Sequence, residues 1–298
     1  MAIQFRTALA FEYGQVARLS PSIRRVIARN PSLFTFHGTG TYILGTDNGV
    51  AIIDPGPDLA EHVEAVLAAV AGETVSHILI THTHIDHSPA AAAVKAATGA
   101  PTYGFGPHGT SPGGAQVEEG GDYDFTPDRV VADGDVIEGA GWTVEAVHTP
   151  GHTSNHLCFA FREENLLFSG DHVMGWSTTV VSPPDGDMAA YMASLVKLRA
   201  RDEQRYWPTH GPAIDDPEPY VASFIAHRQE RERQIGRCLA DGLATIPEMV
   251  AVIYAEVDPK LHRAAGRSVL AHLIHMVDSG RAACAGPPAI ESRYRPPD

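Results

Sequence analysis

The chain has 298 residues, 44% of them apolar, and its 36 acidic against 22 basic side chains give a net charge of −14. That length and apolar content provide for one large domain with a smaller appendage and exclude global disorder. Acidity on this scale works against sequence-independent grip on a polyanion, and no run of about 18 apolar residues offers a membrane-spanning helix.

The opening MAIQFRTALAFEYGQ has no long apolar stretch, Glu12 interrupting the one candidate, so the expectation is no export signal and a cytoplasmic location. Residues 41–45 (TYILG) and 50–56 (VAIIDPG) read as two strands around an Asp-Asn-Gly turn at Asp47–Gly49. Leu59, Val63, Val66, Leu67 and Val70 recur at helical spacing across 58–71. HILIT (77–81) is a strand running into a histidine cluster, after which Ser88 and Pro89 suit the N-cap and first turn of an alanine-rich helix. Residues 104–121, rich in Gly, Pro and Ser, predict a long surface loop. Strands follow at 143–147, 157–161 and 165–169. Then comes an amphipathic helix at 187–200, capped by Asp187, with Met188, Tyr191, Met192, Leu195 and Leu198 inward. A short strand, RYWPTH, ends at His210. This alternation predicts an α/β fold of two mixed sheets sandwiched by outer helices.

Pro212, Pro217 and Pro219 mark a change of character, and the expected boundary divides the chain into 1–215 and 216–298. The first part holds 25 acidic and 12 basic residues, net −13; the second holds 11 and 10, net −1. Helices are expected at about 218–239, from Ile246–Pro247, and around 268–278, with a break at Asp258–Pro259, a pattern resembling a winged helix. Its near-neutral charge is not a nucleic-acid footprint and favours a packing or dimerisation role. Cys158, Cys238 and Cys284 are far apart and form no C-x-x-C, which fits a reducing compartment and three buried, small apolar residues.

The chemistry concentrates in the histidines. THTHIDHS carries His82-x-His84-x-Asp86-His87. His82 and His84 alternate on an extended chain end and so point the same way. Four donors this close can serve two adjacent metals, and imidazole with carboxylate suits zinc, and also iron or manganese. Three more ligand-type residues stand at the C-terminal ends of apolar runs, beside Gly or Pro: His152 in HTPGHTSNH, Asp171 in LLFSGDH and His210 in YWPTHG. Loops at one edge of a sheet converge on a point.

In this order, with Asp54 of IIDPG ahead of them, these residues resemble the five-motif signature of the metallo-β-lactamase superfamily across 40–210. The resemblance implies an αββα sandwich. It also implies one zinc held by His82, His84 and His152, a second held by Asp86, His87 and His210, and Asp171 bridging them with a shared hydroxide. Asp54 would orient a ligand from behind, a plain strand-end turn being the alternative. The stretch NPSLFTFHGTGTYILG, ending at Gly45, together with WSTTVV (176–181), PTHGP (208–212) and the trailing winged-helix-like unit, resembles the β-lactamase-like protein 2 subgroup. Gly40 departs from it, standing where that subgroup has Asn.

The function implied is that of a metal-dependent hydrolase. Characterised members of the subgroup act on single-stranded RNA, whereas glyoxalase II-type thioesterases, lactonases and some β-lactam-cleaving enzymes use the same ligand set. The acidic charge favours a carbon-centred ester, thioester, lactone or β-lactam bond over an endoribonuclease reaction. Asp171, where many zinc β-lactamases carry Cys, argues against a resistance role. An iron-dependent sulfur dioxygenase is the oxidoreductase alternative, while His84, where flavo-diiron proteins carry Glu, sets those aside. Asp86 is expected to orient the nucleophile or carry its proton. His156 is expected to support the ligands or meet substrate, a hydrogen-bonded structural histidine being the plainer role. His37 and Thr41 are expected at the substrate mouth, and His148 and His172 carry no assigned chemistry. The partners implied are a small-molecule substrate, with RNA as the alternative, no membrane, and a second copy of the chain through the helical unit.

Overall fold

A computed structural model describes residues 3–46, 48–111 and 120–297. Strands β1 (Ala17–Arg18), β2 (Ile23–Ile27), β3 (Gly40–Leu44) and β4 (Asn48–Ile53) form an antiparallel meander. Helix α1 (Ala60–Ala69) then leads to β5 (Thr74–Leu79), α2 (Ala91–Thr98) leads to β6 (Thr102–Gly104), and β7 (Arg129–Val130) completes a seven-stranded mixed sheet. Strands β8 (Val136–Gly139), β9 (Trp142–His148), β10 (Leu157–Phe161) and β11 (Leu166–Gly170) run antiparallel. Helix α3 (Met188–Arg199) crosses to β12 (Arg205–Pro208), parallel to β11, and β13 (Ile214–Asp215) completes the six-stranded second sheet. The chain continues through α4 (Pro217–Ala240), α5 (Ile246–Ile253), a 3-10 turn at Pro259–Leu261 and α6 (His262–Asp278). A two-stranded wing, β14 (Ala283–Cys284) with β15 (Tyr294–Arg295), follows.

The central strands are apolar on both faces because both faces are covered. In β3 and β4, Tyr42, Leu44, Ala51 and Ile53 point between the sheets, where they meet Trp142, Phe159, Phe161 and Phe168. Their neighbours Ile43, Val50 and Ile52 pack outward with Val66 of α1 and Val94 of α2. On the far side, Met188, Tyr191, Leu195 and Leu198 of α3 cover Val147, Cys158 and Leu167, together with Tyr220, Val221 and Phe224 of α4. Each such aromatic or aliphatic side chain contributes roughly 1.5–3 kcal/mol by leaving water. The result is the four-layer sandwich with a C-terminal winged-helix unit that the motif order implied.

The boundary expected between 215 and 216 falls at the head of α4, but that helix serves two cores. Its first half packs on α3, while Ile235, Cys238 and Leu239 join Met249, Val269, Leu273 and Met276 in the helical unit. The helix after the histidine cluster starts at Ala91 with Ala90 at its N-cap, not at Pro89 behind a Ser88 cap, because the Ser88 hydroxyl donates to Asp122 at 2.6 Å rather than capping. Asp187 does cap α3, accepting from the Ala190 N–H at 2.9 Å. Helix α6 begins six residues earlier than expected, with the small Gly266 packed against Ile246. Cys158 and Cys238 are buried as expected, but Cys284, on the wing, is only half-buried. Of the predicted 104–121 loop, Gly104 belongs to β6, and residues 112–119 lie outside the described residues, as does Asp47 of the expected hairpin turn.

Candidate metal centre

The topology explains the convergence. Strands β4 and β5 are parallel, as are β11 and β12, and β9 shares the direction of β11 because β10 runs antiparallel to both. Asp54, the 82–87 cluster, His152, Asp171 and His210 all follow the C-terminal ends of these five strands. The two sheets are joined at this edge. Leu157 N–H donates to the Thr81 carbonyl at 2.7 Å, and Gly40 N–H donates to that of Thr209 at 2.9 Å. A Cβ on Gly40 would sit 3.1 Å from both the Thr209 carbonyl oxygen and the Arg25 Cδ, so the subgroup's Asn would need these neighbours to shift by a few tenths of an ångström. The turn before His152 depends on Gly151, whose φ of +138° and close approach to the Tyr191 backbone leave no space for a side chain.

The seven residues meet in one place. His84 Nδ1 lies 3.0 Å from His82 Nε2 and 3.1 Å from His152 Nε2. His210 Nε2 lies 3.2 Å from Asp86 Oδ2 and 3.3 Å from Asp171 Oδ2, and His87 Nε2 lies 3.4 and 3.6 Å from the same two oxygens. Asp171 Oδ2 is also 3.9 Å from His152 Nε2, so this carboxylate stands between the two sets. Donor atoms lie within 4.8 Å of one another in each of three groups: His82/His84/His152, Asp86/His87/His210 and His82/His87/Asp171. All seven are buried except Asp86, whose side chain is 14% exposed.

The hydrogen bonds behind these atoms decide which nitrogen faces inward. His152 Nδ1–H donates to the Val180 carbonyl at 2.6 Å, His210 Nδ1–H to the Gly38 carbonyl at 3.2 Å, and His87 Nδ1–H to Asp54 Oδ2 at 2.9 Å. Each Nε2 lone pair is thereby aimed at the centre. The Thr81 hydroxyl donates to Asp54 at 2.7 Å and so accepts from His82 Nδ1–H at 3.1 Å. His87 Nε2 and Asp171 Oδ1 are buried with no hydrogen-bond partner. Imidazole lone pairs about 3 Å apart repel unless a cation or proton lies between them. Inward lone pairs, orphaned donor atoms and two carboxylates fit a divalent cation, which makes this cluster a candidate metal site.

The electrostatics agree. Burial lowers His82 and His84 well below, and His152 below, the ordinary histidine value, favouring the neutral state in which imidazole binds metal. On the other side, burial opposes charge on His87 and His210, but neighbouring carboxylates prevail. Asp86, Asp171 and Asp54 raise His87 well above its ordinary value, and Asp171 with Asp86 pushes His210 up to about 10. Burial also works against Asp86 and Asp171, yet the same histidines hold both below the usual carboxylate range.

Asp54 does more than turn the chain. Its φ of +48° is a left-handed conformation that a non-glycine residue rarely adopts, and its carboxylate accepts from Thr81 N–H (2.8 Å), the Thr81 and Thr209 hydroxyls (2.7 and 3.1 Å) and His87. His156 is wholly buried. Its Nε2 accepts from the Asp171 N–H at 3.2 Å, and its Nδ1 is bonded to Thr149 Oγ1 at 2.8 Å, so it supports Asp171 and does not reach a substrate. Thr41 is not at a mouth: it is buried, donates to the Asp54 carbonyl and meets His62 Nε2 at 2.8 Å. His37, next to the Gly38 whose carbonyl meets His210, is half-buried, its ring tilted against those of Phe11 and Phe36, with Trp176 stacked on Phe36. Sequence reasoning missed Thr39, whose hydroxyl donates to Asp86 Oδ2 at 2.9 Å, along with Thr81 and Thr209. The available signal was that Thr81 and Thr209 each directly precede a ligand-type histidine.

Residues 35–210 match the model of the metallo-beta-lactamase superfamily. The chain belongs to that superfamily. Residues 245–286 match the beta-lactamase associated winged helix domain, which places α5, α6 and the first wing strand. Lactamase-like protein ptaB of Pestalotiopsis fici is 30% identical over 261 residues, spanning 84% of this chain and 78% of that one. The atrochrysone carboxyl ACP thioesterase of Aspergillus fumigatus is 34% identical over 260 residues, 82% and 76% of the two chains. A metallo-beta-lactamase family protein from Thermus thermophilus shares the fold, with a TM-score of 0.75 over 94% of this chain and 100% of its own at 22% identity. This metallo-β-lactamase-fold chain is thus a hydrolase with a candidate His/Asp metal cluster, and among the described residues no helix is long and apolar enough to cross a membrane.

Proposed function

We propose that this metallo-β-lactamase-fold hydrolase is a two-zinc thioesterase, with residues 1–215 as the catalytic unit and 216–298 as the helical one. The observation that carries the reading is the pair of donor sets around Asp171, with His87 Nε2 and Asp171 Oδ1 left without a hydrogen bond inside the fold. In this reading His82, His84 and His152 would hold one zinc, Asp86, His87 and His210 would hold the other, and Asp171, whose carboxylate stands between the two sets, would serve as a ligand with them. When bound, such a pair supplies Lewis acidity and a water acidified toward a pKa of about 7.

The residues do the rest. Asp54 and His156 hold His87 and Asp171 in place from behind. Asp86 is the most exposed member of the seven, and its carboxylate is steadied by the Thr39 hydroxyl, so Asp86 Oδ is where a proton from the nucleophile is held and passed on. A thioester suits a site with one such carboxylate, because a thiolate whose acid has a pKa of roughly 8.5 leaves with little help from a general acid. Relatives named as thioesterases support this choice. The net charge of −13 over residues 1–215 disfavours RNA, whose binding depends on neutralising phosphates.

The test is metal analysis of purified protein followed by zinc-loaded turnover of acyl-coenzyme A and acyl-carrier-protein thioesters, a lactone, a β-lactam and single-stranded RNA. The free thiol is titrated, and Asp171→Ala serves as the blank. Two zinc equivalents and thiol release absent from the blank are expected. Preferential RNA cleavage, or bound iron with oxygen consumption on a persulfide, refutes the proposal.

A further inference from the structure

The loop that follows Asp171 returns to the centre and holds it from outside. The buried Thr179 hydroxyl donates to two carbonyls, that of Asp171 at 2.7 Å and that of His172 at 2.9 Å. The next residue, Val180, supplies the carbonyl that accepts from His152 Nδ1–H at 2.6 Å. Two consecutive residues therefore touch the candidate centre from behind: Thr179, through its hydroxyl, the Asp171 backbone, and Val180, through its carbonyl, the His152 ring. The Thr179 carbonyl accepts from the guanidinium of Arg228, which comes from α4 and not from the sandwich.

Arg228 is an unusual residue to place there. It is 4% exposed, its Nε has no partner, and no carboxylate among the described residues pairs with it. Its surroundings include the face of Tyr191, with Cζ 5.1 Å from the ring centre, and the half-buried His227. Tyr191 in turn donates its hydroxyl to the His172 carbonyl at 3.0 Å. A charge buried without a counter-ion opposes folding, and an apolar side chain of similar length would fill the space without that penalty. What an apolar side chain cannot do is donate to the Thr179 carbonyl.

We propose that Arg228 is a positioning residue for the metal centre. By fixing the 179–180 peptide it sets the Val180 carbonyl against His152 and the Thr179 hydroxyl against Asp171, which makes helix α4 part of the metal-binding apparatus. The proposal rests on the reading of the seven residues as metal ligands, and goes beyond it in assigning the helical unit a share in metal affinity.

The test compares full-length Arg228→Met, which keeps the length and loses the donors, with Arg228→Lys, which keeps a donor. Leu273→Ala serves as a control: Leu273 is fully buried in the helical core, so that variant loosens the unit without touching the guanidinium. Zinc affinity by chelator competition, the visible spectrum of the cobalt-substituted protein and the thermal midpoint of the metal-free protein are measured for each. Arg228→Met should lose 10- to 100-fold in zinc affinity, the range for residues that orient metal ligands, with a changed cobalt spectrum. Arg228→Lys should recover part of that loss, and Leu273→Ala should lower only the midpoint. Wild-type zinc affinity and cobalt spectrum in Arg228→Met, with a lowered midpoint, would reduce Arg228 to a packing residue and overturn the proposal. Should Arg228→Met fail to fold, the comparison passes to Arg228→Lys, expected to show a smaller loss of zinc affinity with a shifted cobalt spectrum; an equal loss and shift in Leu273→Ala would make the effect one of general loosening and overturn the proposal equally. Failure of the parent protein to bind zinc or cobalt would instead sink the metal reading itself, a result distinguishable because no variant is involved.

Discussion

Asp54→Asn isolates the role of a carboxylate that touches no metal. The oxygen facing the Thr81 N–H stays an oxygen, but Oδ2 becomes an NH2 facing His87 Nδ1 and the two threonine hydroxyls. The hydroxyls can rotate to accept. His87 cannot adapt so simply: to accept from the amide it must move its proton to Nε2, the atom that faces Asp86 and Asp171. If the amide flips instead, the Thr81 N–H is left unpaired in a buried site. Either outcome costs about 1–3 kcal/mol, the penalty for an unsatisfied buried group or a misplaced proton. At 1.4 kcal/mol per tenfold, that amounts to roughly a 5- to 150-fold loss of affinity, and it should fall on the zinc held by Asp86, His87 and His210 more than on the other. Isothermal titration of metal-free protein with zinc reads the two equivalents separately. Two sites with unchanged affinity in Asp54→Asn would refute the reasoning that Asp54 fixes the His87 tautomer.

Three further outcomes follow from the same geometry. Asp171→Ala should lose at least one metal equivalent and nearly all turnover, because its carboxylate lies between both donor sets; elemental analysis with a thiol-release assay checks this, and full activity would contradict the assignment. Acid should destabilise the protein through His62 and His272, whose folded pKa values burial lowers to about 4. The unfolded chain takes up these protons first, so this stability is whole above pH 6.5 and is lost as the pH falls through 4, by about 3 kcal/mol at most for each. Urea midpoints at pH 7, 5.5 and 4 should therefore fall less steeply in His62→Leu than in the parent. Gly139→Ala should destabilise by about 1–3 kcal/mol or more, since a Cβ there would lie 1.9 Å from the Trp142 ring; an unchanged thermal midpoint would mean the indole is free to move.

The sequence by itself determined the ligand-type residues and their order. Each lies directly after an apolar run, and the physics of a sheet edge leaves chain ends exposed to one another there while the strands behind are packed. It determined the sandwich for the same reason: runs such as LLFSG and GTYIL, apolar at nearly every position, need cover on both faces. Tertiary structure alone decided which nitrogen of His152 and His210 faces inward, because that depends on backbone carbonyls at Val180 and Gly38, and carbonyls carry no residue identity. It alone decided that Asp54 orients His87 as well as turning the chain, and that Thr41 lies beneath His62 and away from the mouth. It also gave α4 two cores and one guanidinium at the back of the centre. Periodicity predicted the helix, but a hydrogen bond between Arg228 and Thr179, 49 residues apart in the chain, leaves no local pattern to read.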